Sequence, residues 1–364
     1  MSKNVHFHGS DIESAAAYYN IPKESIVSFG ANVNPLGLSE NLKAKLAQNL
    51  DILSSYPDRN YTSLKRVIGS YCNVAPEHII VGNGSTELIS LLIHSVAPRK
   101  ALLLSPTYSE YERELELVGC RLDYYNLQKE NEFQLSLDDF CNEIKKGYEL
   151  VIICNPNNPT GSALTNDQID YVLSVCEDCN SFLMIDETYV EFAPEVSNIS
   201  ATSLVEKHQN LMVLRGTSKF FAAPGLRLGY GATSNQKFLQ TLLEKQNPWS
   251  LNSLAAFAGE LMLTDKEYIK ETREFISNER SKMIEALSNC KSIRVYPSYA
   301  NFILVEILND NITSSDAFDL FMKRGLMVRD CSSFAALNGE FFRFCIMSSE
   351  DNKRLIEAII EIFK

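Results

Sequence analysis

Leu211-Met-Val-Leu214-Arg-Gly-Thr-Ser-Lys219-Phe-Phe-Ala-Ala-Pro-Gly225-Leu-Arg227-Leu-Gly229-Tyr230 runs from an apolar stretch straight into polar, glycine-rich chain. The apolar part reads as a buried strand, and Lys219 stands just beyond its carboxyl end. A lysine in that place is ordinarily the solvated start of a helix. Arg227, between Gly225 and Gly229, changes the reading. Glycines let backbone approach closely, and a guanidinium grips a phosphate with paired hydrogen bonds. An amine beside a phosphate clamp points to a Schiff base with a phosphorylated aldehyde.

Outward from this stretch, four more short apolar runs alternate with longer amphipathic segments. They are His78-Ile-Ile-Val81, Ala101-Leu-Leu-Leu104, Leu150-Val-Ile-Ile-Cys154 and Phe182-Leu-Met-Ile185. The rhythm is that of a mostly parallel sheet covered by helices, an α/β architecture. Each run is followed at once by residues able to do chemistry: Gly82-Asn-Gly84-Ser85-Thr86, Ser105-Pro-Thr-Tyr108, Asn155-Pro-Asn157-Asn-Pro-Thr-Gly161 and Asp186-Glu-Thr-Tyr189. Ligands of open α/β sheets bind outside the carboxyl ends of the strands, so five such followers describe one site.

Taken singly, each follower has an ordinary explanation. Asp186 caps a helix, Asn157 belongs to a turn, and Tyr108 is a rim aromatic. Together they acquire roles around one planar cofactor. An acidic partner such as Asp186 keeps a pyridine nitrogen protonated, and Tyr189 reaches the same side with its hydroxyl. Gly84-Ser85-Thr86 opens a helix whose free amides seat a phosphate, and Tyr108 stacks on a ring.

Composition sets the outer limits. The chain has 364 residues, and roughly 150 per domain suggests two packed units. With 45% hydrophobic and 22% charged residues it is ordinary globular protein. A net charge of −12 argues against a nucleic-acid partner, so anionic ligands must be met by locally placed arginines. No apolar run approaches the roughly 20 residues that span a bilayer, and Met1-Ser-Lys-Asn-Val-His lacks a secretory apolar stretch. No membrane association and a cytoplasmic location are expected. Cys176 and Cys179 form a lone CxxC in a helical pattern, read as helix-face thiols, and no metal site is expected. The expected organisation is an arm and linker over 1–40 that forms part of the small domain, a large domain over 41–255 and a smaller α+β domain over 256–364. Within the last, one helical stretch is read from Ala255 to Leu287.

The strand-NPNNPTG, strand-DETY and TSK…RLGY segments resemble the signatures of fold-type I pyridoxal-phosphate enzymes, the class I and II aminotransferase superfamily. The resemblance covers nearly the whole chain. It implies a seven-stranded, mostly parallel sheet with a smaller α+β domain, and pyridoxal 5'-phosphate as cofactor. It further implies Lys219 as the Schiff-base lysine, Asp186 as partner of the pyridine nitrogen, and Asn157 and Tyr189 as ring-oxygen donors. Tyr108 is implied as the stacking aromatic, and Gly84, Ser85, Thr86, Ser218 and Arg227 as the phosphate cup. Tyr56, in Ser55-Tyr-Pro-Asp58, resembles a tyrosine that reaches the neighbouring subunit's cofactor phosphate, which implies a homodimer with shared sites.

Within that family the chain is similar to two branches, histidinol-phosphate aminotransferases and the L-threonine-O-3-phosphate decarboxylases of cobalamin synthesis. It resembles the second at Phe7-His8-Gly9, at Ser28-Phe-Gly-Ala-Asn32-Val-Asn-Pro-Leu-Gly37 and at Gln246-Asn-Pro-Trp249-Ser-Leu-Asn-Ser-Leu254. The resemblance implies a phosphorylated amino-acid substrate. Arg343 is implied to take its carboxylate, while Arg329, His8 and Asn32 take its phosphate, with Gly9 and Asn157 also near the substrate. Decarboxylation is the expected reaction and transamination the alternative.

Overall fold

The structure, a computed structural model, describes Phe7, Gly9 and residues 11–309 and 311–364. His8, expected at the substrate phosphate, lies outside the described residues. The chain enters through α1 (Ile12–Tyr19), a two-residue strand β1 (Val27–Ser28), α2 (Glu40–Gln48) and α3 (Thr62–Cys72). Next come β2 (Ile79–Asn83), α4 (Ser85–Val96), β3 (Lys100–Ser105), α5 (Ser109–Leu117), β4 (Arg121–Asn126) and α6 (Leu137–Ile144). They are followed by β5 (Leu150–Cys154), α7 (Asn166–Asp178), β6 (Phe182–Asp186), β7 (Leu211–Gly216) and β8 (Leu228–Ala232).

Strands β2 to β8 form a seven-stranded sheet in the order β2-β8-β7-β6-β5-β3-β4. Only β8 runs against its neighbours β2 and β7; the remaining pairings are parallel. The five apolar runs of the sequence are β2, β3, β5, β6 and β7. The sequence reading does not find β4 or β8. The first is an edge strand with exposed and half-buried residues throughout, so it lacks an apolar run. The second is Leu228-Gly-Tyr-Gly-Ala232, whose glycines are demanded by packing: a Cβ on Gly229 would stand 2.2 Å from Ser85 N.

Burial on both faces explains why the central strands are apolar without alternation. In β5, Val151 and Ile153 join the core on one side of the sheet, and Leu150, Ile152 and Cys154 join the core on the other. Burying such side chains is worth about 1.5–3 kcal/mol each.

Beyond the sheet lie α8 (Gln236–Lys245), α9 (Ser253–Met262) and α10 (Lys266–Leu287), then β9 (Ile293–Val295), β10 (Phe302–Ile307), α11 (Ser314–Met322), β11 (Leu326–Met327), β12 (Arg329–Asp330), β13 (Phe341–Cys345) and α12 (Ser349–Ile362). A four-stranded antiparallel sheet has the order β12-β13-β10-β9, and β1 pairs in parallel with β11. Two readings need correction. The helix expected from Ala255 to Leu287 is two helices, because Asp265 turns its carboxylate onto Tyr268 N at 3.1 Å and starts α10 afresh. The first forty residues are more than a peripheral arm: Phe29 is fully buried in the main core, and Phe29 N and O bond Met327 O and Cys345 N. Among the described residues, no helix is long and apolar enough to cross a membrane.

Candidate active site

The residues that follow β2, β3, β5, β6 and β7 face one cavity of about 390 Å³. That volume lies within the roughly 300–1,000 Å³ usual for small-molecule sites. Its charged lining comprises Lys219, Arg227, Arg329 and Arg343 against one acid, Asp186. A protein with a net charge of −12 thus turns a cationic surface inward here, the arrangement that an anionic ligand requires.

Asp186 ends β6 on the same side of the sheet as Met184, opposite Cys154 of β5. It is 3% exposed, and burial pushes its carboxyl above the usual range. Three donors oppose that shift. Thr188 N and Thr188 Oγ1 donate to Oδ1 at 2.9 and 2.6 Å, and Tyr111 Oη donates to Oδ2 at 2.7 Å. Tyr189, three residues on, is buried; its hydroxyl accepts from Asn32 Nδ2 at 3.2 Å.

Lys219 projects into the cavity, where its Nζ donates to Ala31 O at 2.7 Å. Burial, with the charges of Arg343 and Arg227 adding to it, lowers its pKa to about 8. The neutral, nucleophilic amine is therefore populated well below the ordinary lysine range: at pH 7 it makes up about 10% of the total, against about 0.03% for an unshifted lysine. Covalent capture of pyridoxal 5'-phosphate by apoprotein should accelerate as pH rises through about 8 and then level off. Stopped-flow absorbance across pH 6 to 10 measures this, and a rate still climbing at pH 10 would contradict the lowered pKa.

At the amino end of α4, Ser85 and Thr86 line the cavity with Ser218 and Arg227. Gly84, at φ +81°, adopts a backbone conformation that a side chain would strain, and a Cβ there would lie 2.3 Å from Arg227 Nη2 and displace that guanidinium. Backbone amides, three hydroxyl residues and a guanidinium thereby converge, the donor set that holds a phosphate. Tyr108, the residue before α5, contributes an aromatic ring, its hydroxyl pushed up to about 12 by burial and the nearby acids. An amine, a buried carboxylate, a ring face and a phosphate cup around one cavity fit pyridoxal 5'-phosphate.

Asn157 requires a different account from the sequence reading. Its side-chain amide is engaged behind the cavity, donating to Pro106 O at 2.9 Å and Thr160 Oγ1 at 3.0 Å and accepting from Thr107 Oγ1 at 3.0 Å. The asparagine that lines the cavity is its neighbour Asn158, whose Oδ1 accepts from Arg343 Nη1. Sequence reasoning also missed Tyr111.

Arg343 projects from β13, 5% exposed, and its Nη2 donates to Gly30 O at 3.0 Å. Its Nε and the Oδ1 of Asn32 are buried without a hydrogen-bond partner among the described residues. Arg329, on β12, donates to Phe7 O and, at 2.8 Å, to Ser333 Oγ. Gly9 packs so tightly on Gly30 that a Cβ on it would stand 2.1 Å from Gly30 O. The two arginines, Asn32 and Gly9 therefore share one wall. Tyr56 does not join them: it is 80% exposed, with its ring 4.9 Å from that of Trp249.

Compared with known proteins, residues 24–359 match the family described as aminotransferase class I and II. The threonine-phosphate decarboxylase of Salmonella typhimurium is 31% identical over 97% of this chain and 95% of its own length. The histidinol-phosphate aminotransferase of Methanococcus aeolicus is 30% identical over 97% of this chain and 94% of its own. The crystal structure of the histidinol-phosphate aminotransferase from Clostridium acetobutylicum superposes with a TM-score of 0.85 at 31% identity, covering 92% of this chain and 98% of that one.

Proposed function

The chain belongs to the aminotransferase class I and II family, and from that premise we propose that it decarboxylates L-threonine O-3-phosphate to (R)-1-amino-2-propanol O-2-phosphate, a step of cobalamin synthesis. Pyridoxal 5'-phosphate is the cofactor and, when bound, supplies an electron sink for the pair left on the substrate's α-carbon. In this reading Lys219 carries the cofactor and Asp186 partners its ring nitrogen. Tyr189 and Asn158 face its ring oxygen, in place of the Asn157 read from sequence. Tyr108 stacks on the ring, and Gly84, Ser85, Thr86, Ser218 and Arg227 hold the phosphate. Tyr56 serves the site of a partner subunit in a homodimer; its 80% exposure leaves the hydroxyl free for that reach.

The observation that carries the reaction is the amino-terminal segment at the cavity wall. Gly9 lines the cavity, and Phe7 O is held by Arg329. Arg329 with Asn32 provides a seat for a substrate phosphate, while Arg343 takes the carboxylate. Two anchors fix the substrate's rotation about its α-carbon. A phosphate gripped at Arg329 would set that rotation, so remote binding energy would select which bond to the α-carbon breaks. Carbon dioxide leaves, and the Lys219 amine, which burial and neighbouring charge keep readily deprotonated, relays the proton that replaces it.

Arg329→Ala is expected to weaken phosphorylated substrates by about 2 to 5 kcal/mol and unphosphorylated ones far less, as for a desolvated charge pair. Competition binding with phosphothreonine and threonine measures the difference, and equal loss on both removes Arg329 from the phosphate seat.

Transamination of histidinol phosphate is the second reading, favoured by the aminotransferase relatives at nearly the same identity. Incubation with carboxyl-labelled phosphothreonine, and separately with histidinol phosphate plus 2-oxoglutarate, separates the two. Labelled carbon dioxide from the first mixture is expected. Glutamate from the second, with no labelled gas from the first, reverses the assignment.

A further inference from the structure

We infer that Tyr111 is a positioning residue of this site, whose hydroxyl holds Asp186 in the orientation and charge state needed to partner a protonated ring nitrogen. The inference rests on the reading of Asp186 given above.

Tyr111 lies three residues after Tyr108, on α5, and its ring is fully buried against the sheet face that carries Met184 and Cys154. The two tyrosine rings meet edge to face at 5.5 Å, and both line the cavity. Phenylalanine would satisfy that packing equally. What the hydroxyl adds is a hydrogen bond of 2.7 Å to Asp186 Oδ2, beside a contact with the Cys154 thiol.

The carboxylate's other contacts cannot replace it. Both come from Thr188, two residues along the same chain, and both fall on Oδ1. They tie one oxygen to the local turn. Among the described residues, Tyr111 alone reaches across from a different element to hold the second oxygen. Burial favours the protonated carboxyl, and each donor to the ionised form opposes that. Without the phenol, Oδ2 loses its fixed donor, and a proton shared between Asp186 and a ring nitrogen shifts toward the oxygen.

The test uses holoenzyme reconstituted with pyridoxal 5'-phosphate labelled with nitrogen-15 in the ring. In the wild type the label should show the chemical shift of a protonated pyridine. In Tyr111→Phe it should move toward the unprotonated value, and cofactor affinity should fall roughly tenfold or more, as for loss of a hydrogen bond to a charged group. In an Asp186→Asn background, Tyr111→Phe should change neither quantity further. Apoprotein melting reports separately whether the substituted core is intact. An unmoved nitrogen in Tyr111→Phe, or the same added loss in both backgrounds, overturns the inference while leaving Asp186 in its role. If Asp186→Asn itself leaves the nitrogen unmoved, the reading of Asp186 falls, and this inference with it.

Discussion

Lys219→Ala is expected to reduce turnover by roughly 10⁴-fold or more, since in the proposed mechanism one amine both carries the cofactor and moves the proton at the reacting carbon. The second duty follows from its surroundings. Burial, reinforced by the charges of Arg343 and Arg227, holds the amine near pKa 8, so it exchanges a proton readily near neutral pH. Arginine in its place stays charged and cannot serve either duty. Borohydride reduction of the wild-type holoenzyme, followed by peptide mapping, should find the cofactor on Lys219. Reduced cofactor on another lysine, or Lys219→Ala retaining near-normal turnover, would remove the residue from the centre of the mechanism. The melting temperature of the variant should not drop, because a lysine with a depressed pKa is held in the fold against its preference for water.

What is legible in the sequence depends on whether a residue's role is set by its place in the chain or by its neighbours in space. Lys219, Asp186, Tyr189, Ser85 and Tyr108 stand just past apolar runs, and the strand ends of an open α/β sheet carry their followers to one cavity. Arg227 is legible through its flanking glycines, and Gly229 shows why, since Ser85 N leaves no room for a side chain there. Asn157 and Asn158 are chemically identical neighbours, and only the path of the turn between them decides which faces the cavity. Tyr111 reads as one more apolar position on a helix, and its hydroxyl gains meaning only when α5 is packed against the end of β6. β8 escapes notice because glycines weaken a strand pattern, although close packing requires them. Tyr56 is of a different kind: the role proposed for it requires an assembly of two chains, and one chain shows only that its side chain is exposed.

Asp186→Ala is expected to lower turnover by roughly 10²- to 10³-fold, the usual consequence of deleting a group that stabilises charge developing in a reaction. The fold should survive, for a reason visible in the apoprotein. A carboxylate 3% exposed, with no cation hydrogen-bonded to it among the described residues, is costly to bury, and burial accordingly pushes its pKa up. Its removal relieves that cost while leaving Tyr111 Oη and Thr188 Oγ1 without an acceptor, each worth about 1–3 kcal/mol when buried. The opposing terms are of similar size, so apoprotein melting should shift by only a few degrees while activity collapses. A residue kept merely as a turn or helix cap would give the reverse pattern, a clear loss of stability with turnover preserved. Asp186→Glu restores the charge but lengthens the side chain by one methylene, which displaces the carboxylate from Tyr111 and Thr188 and from the ring nitrogen it is to meet. It should therefore recover part of the activity. Calorimetry of the three apoproteins beside turnover of the three holoenzymes reads both axes, and wild-type turnover in Asp186→Ala would reduce Asp186 to a structural residue.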